Sequence, residues 1–325
     1  MTLLHLDDVS VTYQTSEGAV PAVRGVSLSV EAGTSLGVAG ESGSGKSTLA
    51  ATVLRLTPAT ATVTGQVLLD DEDVLSMSFG RLRAVRWASA AIVFQGALHS
   101  LNPLHRVGRQ IGEPLQLHDR TVSASSVDAR VRELLGQVGL PTRLASSYPH
   151  QLSGGQKQRV MIAMALACSP RLIIADEPTT ALDVMVQAQV LDLLTGLVAD
   201  LGLGLVVISH DLSVLGSTCD RLAVMYAGRV VEEGPSREVL DRARHPYTRA
   251  LSAAFPTIGD PTARFAPRGL PGDPPFPGDL PTGCPFHPRC AVAVDVCRSE
   301  DVRLRLAAPQ HLAACVHVEP VSVPQ

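Results

Sequence analysis

Residues 40–47 read Gly-Glu-Ser-Gly-Ser-Gly-Lys-Ser, the pattern GxxxxGK[ST], between an apolar run at 35–39 and a helix-compatible stretch, Thr48–Leu56. That is the context a phosphate-binding loop requires. Gly40, Gly43 and Gly45 let consecutive backbone N–H groups curl around an anion, and the helix that follows turns its positive dipole end toward the same charge. Ser42 and Ser44 complete the loop. Lys46 adds a point charge suited to β- and γ-phosphates, Ser47 brings a hydroxyl placed for Mg²⁺, and Thr48 opens the helix. The chain has only two lysines, Lys46 and Lys157, and otherwise uses arginine, so a lysine at this position is chemically pointed.

A second motif follows about a hundred residues later: Leu152-Ser153-Gly154-Gly155-Gln156, extended by Lys157-Gln158-Arg159 and then an apolar stretch, Val160–Cys168. By itself, Ser153 ahead of a helix is an ordinary N-cap. After a phosphate loop, in this order, the sequence resembles the ATP-binding cassette (ABC) ATPases over residues 1 to about 255. Leu172–Asp176 reads as a short buried strand, and the carboxylates of Asp176 and Glu177 stand at its end. The resemblance implies that Asp176 holds Mg²⁺ through water and that Glu177 polarises the attacking water as general base. Pro178 to Asp183 looks like the family's D-loop, with Asp183 facing the opposite subunit's site. Gln95, after the run Ala91–Phe94, matches the glutamine that reaches Mg²⁺ and the lytic water. His210, after Leu205–Ser209, matches the histidine that contacts the γ-phosphate. Tyr13 stands where the family places an aromatic ring against adenine, although a tyrosine in an N-terminal strand is also simply a good strand former. The resemblance implies that Ser153, Gly154, Gly155 and Gln156 form the signature that covers the nucleotide of a partner subunit.

The elements that must position these residues are legible more coarsely. Residues 1–33 alternate apolar and polar positions around turn residues and read as an antiparallel β region. Residues 34–95 and 154–245 read as alternating strands and helices, a parallel sheet wrapped by helices. Between them, about 96–160 is helical and polar, broken by Pro103, Pro114 and Pro141. The expected architecture is α/β: a P-loop ATPase with an antiparallel β subdomain, a RecA-like core and a helical subdomain. These span 1–255, followed at 256–325 by a small Cys/Pro-rich C-terminal extension.

At 325 residues the chain exceeds the size of one core. A net charge of −4 gives no electrostatic case for nucleic-acid binding. The first residues carry Asp7 and Asp8 and no basic segment, which does not read as a secretory signal, and no apolar run reads as a bilayer span. The resemblance implies a place at the cytoplasmic face of the membrane, reached through partners.

After residue 255 the composition shifts to proline, from Pro256, Pro261 and Pro267 through Pro288, which rules out a helix and reads as extended. Four cysteines, Cys284, Cys290, Cys297 and Cys315, follow the spacing C-x5-C-x6-C-x17-C; Cys168 and Cys219 read as buried packing residues. In a reducing compartment four clustered thiols suit a metal centre, an iron–sulfur cluster or zinc, with free or oxidised thiols as the remaining alternative. The stretch Thr282–Cys290, with His245-Pro246-Tyr247-Thr248 upstream, resembles the C-terminal extension of oligopeptide/dipeptide importer ATPases, some of which carry a [4Fe–4S] cluster. Val93–Pro103 and Tyr148–Leu152 are close to the same pattern. Gly96 departs from it where Asp is frequent, and Gln156-Lys157 replaces a Met-Arg found in one of the two importer subunits. Val160–Leu166 favours the D-type subunit. The resemblance implies a second homologous ATPase, two transmembrane permeases and an extracytoplasmic substrate-binding protein as partners, with no nucleic acid. Metal-chelate importers share this ATPase type. Soluble ABC ATPases acting on nucleic acid or ribosomes carry coiled-coil arms or paired cassettes, which are absent from this sequence.

Overall fold

The computed structural model describes residues 1–96, 100–180, 182–254 and 270–319. Pro256, Pro261 and Pro267, and Ala97–His99 and Ala181 of the motifs above, lie outside the described residues.

The chain opens with two long strands, β1 (Thr2–Thr15) and β2 (Gly18–Glu31). Thr15 closes the turn between them: its hydroxyl donates to Gly18 O at 2.8 Å and accepts from Glu17 N at 3.2 Å. Next come β3 (Ser35–Ala39), α1 (Lys46–Val53), β4 (Ala61–Leu69), β5 (Glu72–Asp73), α2 (Phe79–Val85) and β6 (Ala90–Val93). Three helices follow: α3 (Val107–His118), α4 (Ala124–Gln137) and α5 (Gly154–Ala165). The chain then alternates through β7 (Leu172–Asp176), α6 (Val184–Leu201), β8 (Gly204–Ser209), α7 (Leu212–Thr218), β9 (Arg221–Tyr226) and β10 (Arg229–Pro235). Two short helices, α8 (Ser236–Asp241) and α9 (Pro246–Ala254), precede the extension, which carries β11 (Arg305–Ala308) and β12 (His311–Ala313).

Contacts divide the chain into two compact units. The first holds residues 1–4, 30–34 and 68–207. Within it β6 and β7 pair in parallel, with Val93 opposite Ala175, and every residue of β7 is buried, as an apolar run in a parallel sheet must be. Helices α3, α4 and α5 pack on one another. Ser123 caps α4 by accepting from Ser126 N, while Pro114 is accommodated inside α3. α6 differs from the sequence expectation, because by length and composition it is apolar enough to cross a membrane. Its buried residues are Val190, Leu191, Leu194 and Leu197, spaced for one helical face, while Gln189, Asp192 and Asp200 are exposed. That is the pattern of a helix lying on a protein core.

The second unit holds residues 5–29, 35–67 and 208–325. In it β3 and β9 pair in parallel, β9 and β10 form an antiparallel hairpin, and β12 joins β10 antiparallel with Glu232 opposite Ala313. β11 closes this edge on β12. The extension is thus built into the sheet by main-chain bonds. Asp220 ties the start of β3, accepting from Ser35 N and Ser35 Oγ at 2.8 Å each. The two core cysteines divide against expectation: Cys219 is buried and its thiol pushed up to about 12 by burial, whereas Cys168 is half-exposed.

Glu232 has no exposed surface, yet it is fully engaged. Its carboxylate accepts from Arg244 N (2.6 Å), His245 N (2.9 Å) and His311 Nε2 (2.7 Å), and His311 is equally buried. A carboxylate inside a protein is tolerated only with such partners. Replacing Glu232 with Ala leaves two N–H groups and an imidazole without an acceptor in a dry interior. The expected cost is about 3 kcal/mol, read as a lower denaturant midpoint for the full chain; an unchanged midpoint would show that the network adds nothing.

Candidate nucleotide-binding site

The phosphate loop lies in the second unit, between β3 and α1. Gly45 is the helix N-cap at φ +97°, where a Cβ would meet Ala22 O at 2.2 Å; at Gly40 a Cβ would meet Met225 O at 2.3 Å. Only glycine fits a loop whose neighbours are backbone carbonyls. α1 begins at Lys46 rather than at Thr48, so Lys46 and Ser47 sit in its first turn, where the helix dipole is most positive. Lys46 is buried, and its ammonium donates to Gly40 O (2.8 Å), Glu41 O (2.8 Å) and Ser44 Oγ (3.2 Å). The lysine therefore bridges the loop from inside. Gly228 N donates to Ser44 O at 3.1 Å, while Ser42 and Gly43 are exposed at the rim. Tyr13 approaches from β1, and its hydroxyl donates to Thr48 Oγ1 at 3.1 Å, which holds the ring beside the start of α1.

In the first unit, Asp176 ends β7 and is buried, and Glu177 follows at φ +45°. The register that sets Val93 opposite Ala175 brings the residues two positions further on to the same sheet edge. These are Gln95 and Glu177. Gln95 Nε2 donates to Glu177 Oε2 at 2.7 Å, and Thr180 Oγ1 donates to the same oxygen at 2.8 Å. The carboxylate is aimed by two neutral donors, an arrangement suited to holding a water for in-line attack. Thr180 belongs to the stretch Pro178 to Asp183 that resembles the D-loop, and its bond to Glu177, three residues before it, is a contact that resemblance did not specify.

Ser153 caps α5 through a capping box: its hydroxyl accepts from Gln156 N at 3.3 Å, and Gln156 Oε1 accepts from Ser153 N at 3.0 Å. Ser153 is therefore an N-cap in this structure. Gly154 and Gly155 form the first turn. Asp183 caps α6 by accepting from Val186 N at 3.0 Å, and Val186 Cγ1 lies 2.5 Å from where a Gly155 Cβ would stand. The signature and the Asp183 turn are thereby packed as one piece. His210 is exposed just past β8.

The four extension cysteines converge. Cys284, Cys290, Cys297 and Cys315 line one cavity of about 20 Å³ together with His245, His287 and His317. Cys284 N donates to Cys297 O at 2.9 Å. Burial, with the neighbouring thiols Cys297, Cys315 and Cys290, pushes the Cys284 thiol up to about 11. Burial also raises Cys290 and Cys315. All four are free thiols, and among the described residues no group of three or more His, Cys, Asp or Glu side chains is arranged to hold a single metal ion. The donor set, four soft thiols around one small enclosed space, nevertheless fits a thiolate-ligated centre.

A phosphate loop on a parallel sheet, a glycine-rich capped helix and a carboxylate aimed at a sheet edge define a P-loop ATPase. Residues 23–180 match the family model "ABC transporter", and residues 231–297 match "Oligopeptide/dipeptide transporter, C-terminal region". The chain is 42% identical over 316 residues to a probable peptide ABC transporter ATP-binding protein, y4tR, of Sinorhizobium fredii, covering 96% of this chain and 94% of that one. It is 42% identical over 323 residues to the oligopeptide transport ATP-binding protein OppD of Mycobacterium bovis, covering 98% of this chain and 52% of that longer one. Among solved structures it is similar to the ATP-binding cassette MJ0796 in a dimeric post-hydrolysis state bound to ADP and Pi. There the TM-score is 0.65 and the identity 33%, covering 72% of this chain and 99% of that one. The chain belongs to the ABC transporter family and is one of its ATPases.

Gly155→Ala should force α5 away from Val186 and lower ATPase activity about tenfold or more, with partial recovery when Val186→Ala is added. Full activity in Gly155→Ala would show that the close approach is not needed.

Proposed function

We propose that this chain is the ATP-hydrolysing subunit of an importer of oligopeptides or dipeptides, acting at the cytoplasmic face of the membrane. The observation that carries the reading is the match of residues 231–297 to the oligopeptide/dipeptide C-terminal region on a chain that also holds an aimed Gln95–Glu177 pair. In this reading residues 1–255 are the ATPase, with a helical part at about 96–160, and 256–325 are the extension. Gly40, Ser42–Ser44, Gly45, Lys46, Ser47 and Thr48 bind the triphosphate, and Tyr13 stacks on adenine. Ser47, Asp176 and Gln95 hold Mg²⁺. Glu177 is the general base, with its water positioned by Gln95, and His210 supports the γ-phosphate.

Two ATPase subunits pair head to tail, so that Ser153, Gly154, Gly155, Gln156 and Asp183 of one close over the nucleotide of the other. The dimeric ADP-bound neighbour supports that arrangement. The partner ATPase is a second homologous chain, and two permeases with a substrate-binding protein complete the assembly. Two features of the first unit suit a permease helix: exposed Phe94 and Leu104, and a cavity of about 460 Å³ lined by Arg106, Arg109, Asp128 and Arg132.

The four cysteines hold a [4Fe–4S] cluster in this reading, with zinc as the competing occupant. A cluster carries its irons on separate corners and so accepts thiols spread more widely than one ion does. The group would supply cross-linking of the extension, with no part in hydrolysis.

Glu177→Gln should lower ATP turnover of the assembled transporter about 10²-fold or more and accumulate the closed, ATP-bound pair; stimulation by peptide-loaded binding protein should vanish with it. Normal turnover would overturn the role of Glu177, and a wild-type complex that hydrolyses ATP without responding to peptide would overturn the cargo. Anaerobically purified chain should contain iron and acid-labile sulfide, lost in Cys290→Ser. Zinc in their place would identify the other occupant, and neither would refute a metal centre.

A further inference from the structure

Glu41, the second residue of the phosphate loop, is held by the extension. Arg289, inside the Cys284–Cys290 loop, grips its carboxylate with two parallel bonds: Nη1 to Oε2 at 2.7 Å and Nη2 to Oε1 at 2.9 Å. The guanidinium side chain is only 7% exposed. It is fixed on its other sides by Pro271 O (Nε, 2.8 Å), Gly272 O (3.0 Å) and Tyr226 Oη (3.3 Å), and it lies 5.8 Å from the centre of the Tyr226 ring. Phe286, from the same cysteine loop, packs edge-on against both Tyr226 and Tyr247 at 5.3 Å. Tyr247 Oη in turn accepts from Glu41 N at 2.9 Å. The backbone of Glu41 completes the chain of contacts, because its carbonyl accepts from Lys46 Nζ at 2.8 Å.

One loop residue is therefore shared between the extension's arginine and the loop's lysine. A bidentate pair of this kind fixes a carboxylate in orientation as well as in charge. Without its partner, the Glu41 carboxylate is a negative charge within the same short loop that must receive a triphosphate. It repels the phosphates directly, and it is a competing anion for the Lys46 ammonium.

We propose that Arg289 is a positioning residue for nucleotide binding: by neutralising the Glu41 carboxylate and engaging both of its oxygens, the C-terminal extension sets the affinity of the phosphate loop for ATP. The inference rests on the reading of residues 40–47 as the ATP site. It predicts a defect in affinity and not in the chemical step, since Gln95 and Glu177 are untouched by the change.

The test is MgATP binding to the full chain by calorimetry, together with ATPase kinetics. Wild type should bind MgATP. Arg289→Met should weaken binding about tenfold or more and raise KM by a similar factor, with kcat at saturating ATP close to wild type. Arg289→Lys, which keeps the charge but loses the fork, should fall between. Adding Glu41→Gln to Arg289→Met removes the unpaired charge and should bring affinity back to within about threefold of wild type. A merely structural Arg289 would leave the double variant as weak as the single one, and that result overturns the proposal, as does wild-type affinity in Arg289→Met. If Arg289→Met alone does not fold, the comparison of the double variant with wild type and with Arg289→Lys decides in the same way. Failure of wild type itself to bind MgATP would overturn the ATP-site reading and leave the Arg289–Glu41 pair a structural contact.

Discussion

At Gly40 and Gly45 the phosphate loop is a place where backbones converge with no space for a side chain. Carbonyl oxygens of Ala22 and Met225 stand 2.2 and 2.3 Å from where Cβ atoms at Gly45 and Gly40 would be, and Lys46 bonds the loop's own carbonyls from within. A loop clamped in this way is preorganised, so it presents its donors to an anion without first paying the entropy of ordering. Strands β1, β2, β3 and β9 of the second unit have in common that each contributes atoms to this clamp or anchors the residues that do. Tyr13 comes from β1, Ala22 from β2 and Met225 from β9.

Gln95 and Glu177 follow a different logic. They are neither buried nor glycine-supported; they meet because β6 and β7 run parallel in a fixed register and both leave the sheet at one edge. Parallel sheets gather polar residues at their carboxyl ends in this way. The signature helix is held by a reciprocal cap at Ser153 and by the close approach of Gly155 to Val186.

The extension is an integral part of the second unit. Its β12 extends the sheet beside β10, its His311 completes the buried Glu232 network, and its Arg289 reaches the loop that binds phosphate. Cysteines that line a common cavity frame the same loop that carries Arg289 and Phe286. The geometry places a thiol-rich site and a nucleotide site at two ends of one short chain of contacts.

The phosphate loop, the buried strands β3 and β7, the signature and the cysteine spacing were all legible in the sequence, because each is a local pattern in which residue type and spacing carry the chemistry. Gly-rich turns, five-residue apolar runs and a capping box need no distant partner to be recognised. α6 misled the composition count because its apolar positions wrap more than one face, and only packing decides which of them are covered. Cys168 misled for a similar reason: a small thiol in an apolar run looks the same whether the run's last turn is covered or open. The tertiary structure alone decided what joins residues far apart in the chain. Gln95 meets Glu177 through strand register, and Arg289 meets Glu41 across 248 positions. Such pairs leave no periodicity in a single sequence, since an arginine and a glutamate look solvated until folding removes the water between them.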